Sequence, residues 1–323
     1  MNSRATFPLL ITLALFAIRP AVAVERTVKR SFPVQPGATL TVDTYRGGII
    51  IEETDQSEVR AEVRIELATE DEAQANKSIE ALKLEMEVVG NDVRVRARNP
   101  RESRALFAWE EKQRIELTFR IFVPRSTNVD LATLDGGVTV GNMTGRVVAH
   151  TRAGTIFCRK IDGTIKATVD TGDIVISRCS GAVDLRIQRG NIRTGTIFGR
   201  AEAHNDSGDI EVLSALGGVT AMTAAGDVSV GFQKGFTGES KIAANGGSIS
   251  VKLDPLAAMS LDATTSWGKV QTKLPFVVEA GGVGKSKFIG KLNGGGPTVW
   301  LHAAGGHVKL ESSKQFLDVN EES

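Results

Sequence analysis

From Gly172 to Gly190 the chain reads GDIVISRCSGAVDLRIQRG, two nine-residue blocks that each open on glycine, followed by the glycine of a third. The third positions hold Ile174 and Val183, the fifth Ile176 and Leu185. Apolar residues two apart with polar ones between them mark a short strand with one buried face. The glycine ahead of each strand marks a corner, where a backbone without Cβ turns tightly. Working outward, glycine recurs at 136, 145, 154, 163, 172, 181, 190, 199, 208, 217 and 226, eleven hits at a spacing of nine without a gap. The residue two beyond each is Val or Ile in every block but one, which has Ala201.

The structural period is eighteen rather than nine. The eighth position alternates between an apolar set (Met143, Ile161, Cys179, Ile197, Ala215) and a mostly polar set (Arg152, Asp170, Gln188, Asp206, Ala224). Each coil therefore reads as strand, corner, strand, corner, with one bulky and one slim side. The predicted fold class is all-β: a parallel β-solenoid with coils of about 18 residues and two strands, stacked ~4.8 Å apart. A single coil cannot bury its own face, so its stability must come from its neighbours.

The solenoid is expected over 127–311, regular through 136–234 and irregular through 235–311. Val129, Leu131 and Leu134 fit an earlier block without its glycine, and later corners fall at Gly247 and Gly268. Gly306 reads as the last corner, with strands Val299–Leu301 and Val308–Leu310 closing that end. Residues 24–126 read as an N-terminal β-rich cap with one helix, which shields the first coil's edge. Its expected strands lie around Leu40–Thr44, Ile49–Ile51, Val59–Leu67, Val93–Ala97 and Ile115–Val123, and an amphipathic helix is expected within Glu70–Leu84. The charged stretch Pro100–Lys112, with Phe107 and Trp109, reads as a mobile loop, and 312–323 as a disordered tail.

The N-terminus reads as a signal peptide over 1–23. Arg4 gives a positive start, Phe7–Ile18 is an apolar stretch, and Ala21-Val22-Ala23 is a small-x-small cleavage site. No later segment has the length of a membrane span. A mature chain starting near Val24, periplasmic or secreted to the cell surface, is the expectation. The charge balance of 39 Lys+Arg against 38 Asp+Glu offers no basic excess for nucleic acid. At 5% aromatics the chain is poor in stacking platforms for sugars or bases. Cys158 and Cys179 fall one coil apart but about three residues out of step. That offset of roughly 10 Å exceeds the reach of a disulfide and predicts two buried thiols, with a bridge across the thin coil interior as the alternative.

The calcium-binding nonapeptide also makes eighteen-residue coils, but it needs Gly at the fourth position and Asp at the sixth. Here those positions hold residues such as Phe157, Lys166 and Arg193, and His150, Arg159 and Thr168. The second position of alternate blocks stacks Asp173, Asn191, Asp209 and Asp227 along one edge. A single file of carboxylates offers too few oxygens for Ca²⁺, so Asp173, Asp209 and Asp227 read as corner residues bonding local backbone, with a cation ladder as the alternative. Gly281-Gly-Val-Gly284-Lys285-Ser286 is half a phosphate loop whose first glycine is replaced by Glu279, and it reads as a mobile basic loop. His150 and His204 share the sixth position three coils apart, roughly 14 Å, too far for one metal. His302 and His307 could meet across a terminal hairpin but show no third ligand. No cofactor is called for. The constellation closest to catalysis is Asp170, Arg186 and Asp206 on one wall, two carboxylates at roughly 10 Å, near the upper end of a glycosidase pair.

Phe32-x-Val34-x-x-Gly37-x-x-Leu40-x-Val42, the Gly-Asp-Ile/Val corners at Gly172, Gly208 and Gly226, and the run Gly290-Lys-Leu-Asn293-Gly294-Gly295-Gly296-Pro297 resemble the bacterial putative-adhesin family. These are exported β-solenoid proteins related to the head GIN-domain adhesins. The resemblance covers nearly the whole mature chain, implies the solenoid and an adhesin-like role, and brings no catalytic residue. The expected function is therefore an exported, non-enzymatic binding or structural module of the cell envelope, with a surface glycan or protein as partner. The alternatives are a polysaccharide-active enzyme on the Asp170–Arg186–Asp206 wall and an envelope-stress sensor.

Overall fold

In the computed structural model, residues 23–69, 71–98 and 115–313 are described. The expected signal peptide up to residue 22, the expected loop Pro100–Lys112 and the expected tail beyond Ser313 lie outside them. Strands dominate, and the one helix among the described residues spans Glu72–Ala81. They form two long sheets of thirteen and fourteen strands. The chain alternates between them, one strand in each per coil, and coil joins coil in parallel.

The register is the one the eighteen-residue period dictates. In the thirteen-stranded sheet Ile156 pairs with Ile174, Ile174 with Ile192, and Ile192 with Ile210. The column runs on through Val138 and Ile49 on one side and Val228, Ile249, Val308 and Val270 on the other. All ten side chains are buried. Branched side chains stacked at ~4.8 Å fill a thin interior without gaps. Fully burying each contributes about 1.5–3 kcal/mol.

Glycine at the corners has a steric cause. At Gly190, φ is +132°, and a Cβ there would collide with the carbonyl oxygen of Gly172 in the preceding coil. Gly181, at the other corner, has no positive φ, yet a Cβ would strike the carbonyl of Gly163. One corner needs glycine for conformation and contact, the other for contact alone.

Four further residues line the inside of a corner, and here the pattern of the first coil departs from expectation. Leu134 is 44% exposed and Thr133 points inward. The Thr133 hydroxyl donates to the Gly47 carbonyl at 3.1 Å. Thr151, Asn205 and Thr223 repeat the arrangement, donating to the carbonyls of Gly136, Gly190 and Gly208 at 2.9 Å in each case. A buried corner carbonyl accepts a donor where one is offered, yet Val169 and Ile187 fill the same place in the coils between, so this inward slot takes polar and apolar residues alike.

Both ends of the rod are built out of sequence order. The segment 24–126 does more than cap. Thr39–Thr44 and Gly48–Thr54 make a full coil, held in parallel between the coil of Asn128–Asp135 and Val138–Val140 and that of Asp92–Arg98 and Ile115–Pro124. Antiparallel strands Ala23–Pro33, Glu58–Ala68 and Lys83–Val89 then cover that end. At the other end, strands Thr298–Ala303 and Val308–Ser312 were expected to close the solenoid. They lie instead one place inside it, between Ser240–Ala244 with Ile249–Leu253 and Met259–Thr265 with Val270–Thr272. The outermost coil is closed by the hairpin of Val277–Gly281 and Lys287–Leu292. The two ends of the described chain are thus tucked into or folded across the stack, where they resist fraying.

The Gly281–Ser286 stretch, expected to be mobile, is fastened to that last coil. Gly284 N–H donates to Val270 O at 2.7 Å, Val270 N–H to Lys285 O at 2.8 Å, and Thr265 N–H to Ser286 O at 2.8 Å. These bonds supply the outermost backbone with partners it would otherwise lack.

Cys158 lies opposite Ile176 and Cys179 opposite Ile161, which keeps the sulfurs out of step, and both are buried free thiols. Burial pushes the Cys158 thiol up to about 12 and Cys179 up to about 11. Both stay protonated at neutral pH and pack as small apolar groups.

Candidate functional site

Along the strands of the fourteen-stranded sheet, side chains at the second, fourth, sixth and eighth positions of the slim-side blocks face outward. Stacking turns each position into a row running the length of the rod. The fourth-position row carries Val148, Lys166, Asp184 and Glu202, and the sixth His150, Thr168, Arg186 and His204, in register. The second-position row holds Arg146, Thr164, Ala182 and Arg200, each just before a buried Val, Ile or Ala.

A groove of about 330 Å³ opens across these rows, bordered by Arg146, Lys166, Asp184, Arg200 and Glu202. It exists because Thr164 and Ala182 are small. Arg146 and Arg200 stand three coils apart, roughly 14 Å, and nothing bulky fills the corner row between them. The charges are unevenly satisfied. Arg200 Nε lies 2.8 Å from Glu202 Oε1, and Arg186 Nε lies 3.1 Å from Asp184 Oδ1, each partner being two residues away on the same strand. Arg146 and Lys166 make no ion pair with any described residue. The groove therefore presents two cations with unused donors beside two neutralised pairs. Such unused donors suit carboxylate, sulfate or phosphate oxygens.

The wall singled out for catalysis is placed differently. Asp170 and Asp206 do share this outer face, on strands Ile165–Thr171 and Ala201–Ser207, with Val183–Arg189 between them. Arg186, however, is turned to Asp184 rather than to either of them, and neither carboxylate borders the groove.

The Asp173–Asn191–Asp209–Asp227 file has a structural use. Asp173 Oδ1 accepts from Asn191 N–H at 2.7 Å, Asn191 Oδ1 from Asp209 N–H at 3.0 Å, and Asp209 Oδ1 from Asp227 N–H at 2.8 Å. Asp227 Oδ1 then accepts from Ser248 N–H at 2.7 Å, and Ser248 Oγ from His307 N–H at 3.2 Å. Each side chain bonds the amide of the next coil rather than its own corner. This staples coil to coil, and no group of three or more His, Cys, Asp or Glu with metal-binding geometry occurs among the described residues. Asp173→Asn keeps the acceptor and should leave stability within about 0.5 kcal/mol, whereas Asp173→Ala should cost about 1 kcal/mol. Calorimetry with and without Ca²⁺ checks this; a calcium-dependent rise in melting temperature that Asp209→Asn abolishes would restore the cation ladder.

His302 Nδ1 lies 3.0 Å from Thr264 Oγ1, and His307 Nδ1 accepts from Lys269 N–H at 3.0 Å. His302 lies on strand Thr298–Ala303 and His307 just ahead of Val308–Ser312 in the other sheet, so a corner rather than a hairpin joins them.

The groove's own signal was present in the sequence. Reading the second position at a period of eighteen, Arg–Thr–Ala–Arg from 146 to 200, shows two long cations with short residues between them.

No family model matches the chain, and no curated protein matches its sequence. Solved structures do. A putative adhesin from Bacteroides fragilis is 13% identical over 89% of this chain and 97% of its own, at a TM-score of 0.43. A putative adhesin from Parabacteroides distasonis is 11% identical over 88% and 97%, at 0.43. A putative cell adhesion protein from Clostridium sporogenes is 12% identical over 89% and 100%, at 0.22.

Proposed function

We propose that the chain is an exported, non-enzymatic binding module of the cell envelope whose side wall receives an extended acidic partner, an envelope glycan or the acidic segment of a surface protein, along the Arg146–Arg200 groove. The observation that carries this reading is the pair Arg146 and Lys166, which make no ion pair with any described residue and border a groove whose other charges are internally matched. A rigid stack with rows of identical spacing suits a repeating polymer, because successive groups on the ligand meet equivalent rungs. Export rests on the Arg4 to Ala23 segment. No helix among the described residues is long and apolar enough to cross a membrane.

The test is an array of acidic and neutral envelope polysaccharides on the mature protein. Binding to an acidic member is expected to weaken as salt rises. Arg146→Ala and Lys166→Ala should each lower affinity about tenfold or more, the worth of one charge-assisted bond. Unchanged affinity in both variants would remove the groove from consideration. Polysaccharide turnover lost in both Asp170→Asn and Asp206→Asn would replace the binding reading with the enzymatic one.

A further inference from the structure

The rod's C-terminal end differs in character from its walls. Its surface is made by the corner after Met259–Thr265, by edge strand Val277–Gly281, and by the turn leading into Lys287–Leu292. Trp267, on the corner, is 87% exposed and Val277 70% exposed; Val278 and Val283 are exposed as well. Every residue of the edge strand faces solvent. The three backbone bonds that pin Gly284, Lys285 and Ser286 to Val270 and Thr265 bring the turn beside the tryptophan corner. Val277 is paired with Lys291 and so stands on the same face as that lysine.

The charge of this end is one-sided. Ser266 to Lys291 contains Lys269, Lys273, Lys285, Lys287 and Lys291 against a single acid, Glu279, in a chain whose totals are 39 and 38. Lys291 Nζ lies 2.7 Å from Glu279 Oε1, so the acid is already neutralised. The other four lysines are exposed and make no ion pair with any described residue. At the opposite end the two outermost strands, Ala23–Pro33 with Arg26, Lys29 and Arg30 against Glu25 and Lys83–Val89 with Lys83 against Glu85 and Glu87, come close to balance.

Lysines on an edge strand ordinarily serve to stop strands of other molecules from pairing with it. That use does not apply here: the edge strand Val277–Gly281 carries no lysine, Lys287 and Lys291 lie one strand in, and exposed apolar residues such as Val277 and Val278 on an edge are what such protection avoids. An indole and branched aliphatics ringed by lysines match the boundary of an anionic bilayer, where tryptophan settles at the headgroup level and cations are attracted by surface potential. Four lysines on each molecule without an ion pair to any described residue oppose a second copy of the chain as the occupant.

We propose that this end of the rod docks on an anionic lipid surface, with Trp267, Val277, Val278 and Val283 entering the interfacial layer and Lys269, Lys273, Lys285 and Lys287 facing the headgroups. The rod's long wall then projects from the membrane with its groove free. Co-sedimentation of the mature protein with vesicles of phosphatidylglycerol and phosphatidylcholine, against phosphatidylcholine alone, tests this. Binding is expected only to the anionic vesicles and to vanish at high salt. Lys285→Ala and Lys287→Ala should each weaken it about fivefold. Trp267→Ala should weaken it about tenfold, for the lost burial of one large apolar side chain. All three side chains are exposed, so circular dichroism should match the parent, and acidic polysaccharide binding at the groove should be retained. Equal binding to neutral vesicles, or anionic binding indifferent to all three substitutions, would overturn the proposal. So would a concentration-dependent dimer that the same substitutions dissolve in the absence of vesicle binding.

Discussion

Ile174→Asp is expected to unfold the regular coils of the rod. Ile174 is fully buried and stacked between Ile156 and Ile192. Truncating such a side chain costs about 2–5 kcal/mol, and an unpartnered carboxylate in that column adds several more. Against a typical net stability of about 5–15 kcal/mol, the sum removes most or all of it. Ile174→Val is the matched control: Val138 and Val228 already occupy the same column, and a cost of about 0.5–1.5 kcal/mol is expected. Urea titration followed by circular dichroism separates the two. An aspartate variant within about 1 kcal/mol of the parent would mean that position 174 meets water.

Deleting 298–313 is expected to have an effect out of proportion to its length. In a solenoid wound strictly in sequence order, removing the last coil shortens the stack by one and exposes one clean edge. Here that coil supplies Val299, Leu301, Ala303, Val308 and Leu310 to the interior and is hydrogen-bonded to coils on both sides. Its loss parts Met259–Thr265 from Ser240–Ala244 and takes away the Gly306 carbonyl to which Thr265 donates at 2.7 Å. Limited proteolysis with mass spectrometry should show cleavage throughout 254–297 while 39–253 stays protected. Protection of 254–297 equal to that in the full chain would contradict the interleaved order.

What the sequence made legible follows from which interactions repeat. The Ile156–Ile174–Ile192–Ile210 column and the eighth-position alternation recur at a fixed eighteen residues, so a period search finds strands, inward faces and register together. Spatial order at the ends carries no such mark. The spacing from Gly226 to Gly247 and from Gly247 to Gly268 is the same twenty-one residues, yet the first step joins neighbouring coils and the second leaps over one. Equal spacing does not tell a neighbour from a coil two places away. Leu134 was misplaced because it stands at the eighth position of a slim-side block, which faces outward like Arg152 and Asp170 in the following coils, while Thr133 one place earlier faces in. The Asp173 to Asp227 file was legible as corner residues, but its acceptors reach the next coil, a fact that only stacking reveals.

The candidate groove divides in the same way. Its chemistry, cations flanking small residues, lies in the second position of alternate blocks and can be read with the right period. Its charge state cannot: whether Arg200 and Arg186 are spent on Glu202 and Asp184 depends on side chains two apart along a strand turning toward each other. The lysine-rich tip is plain in composition from Ser266 to Lys291, but exposure of Trp267 and Val277 follows from the edge position of their segments, which depends on the interleaved fold.

An experimental structure of the mature protein tests the central claim most directly. The account predicts one unbroken internal column running Ile49, Val138, Ile156, Ile174, Ile192, Ile210, Val228, Ile249, Val308, Val270, with Arg146 and Arg200 three coils apart on the opposite sheet's outer face. A structure in which these residues fall on different faces, or in which Val270 follows Ile249 directly with Val308 outermost, would contradict it.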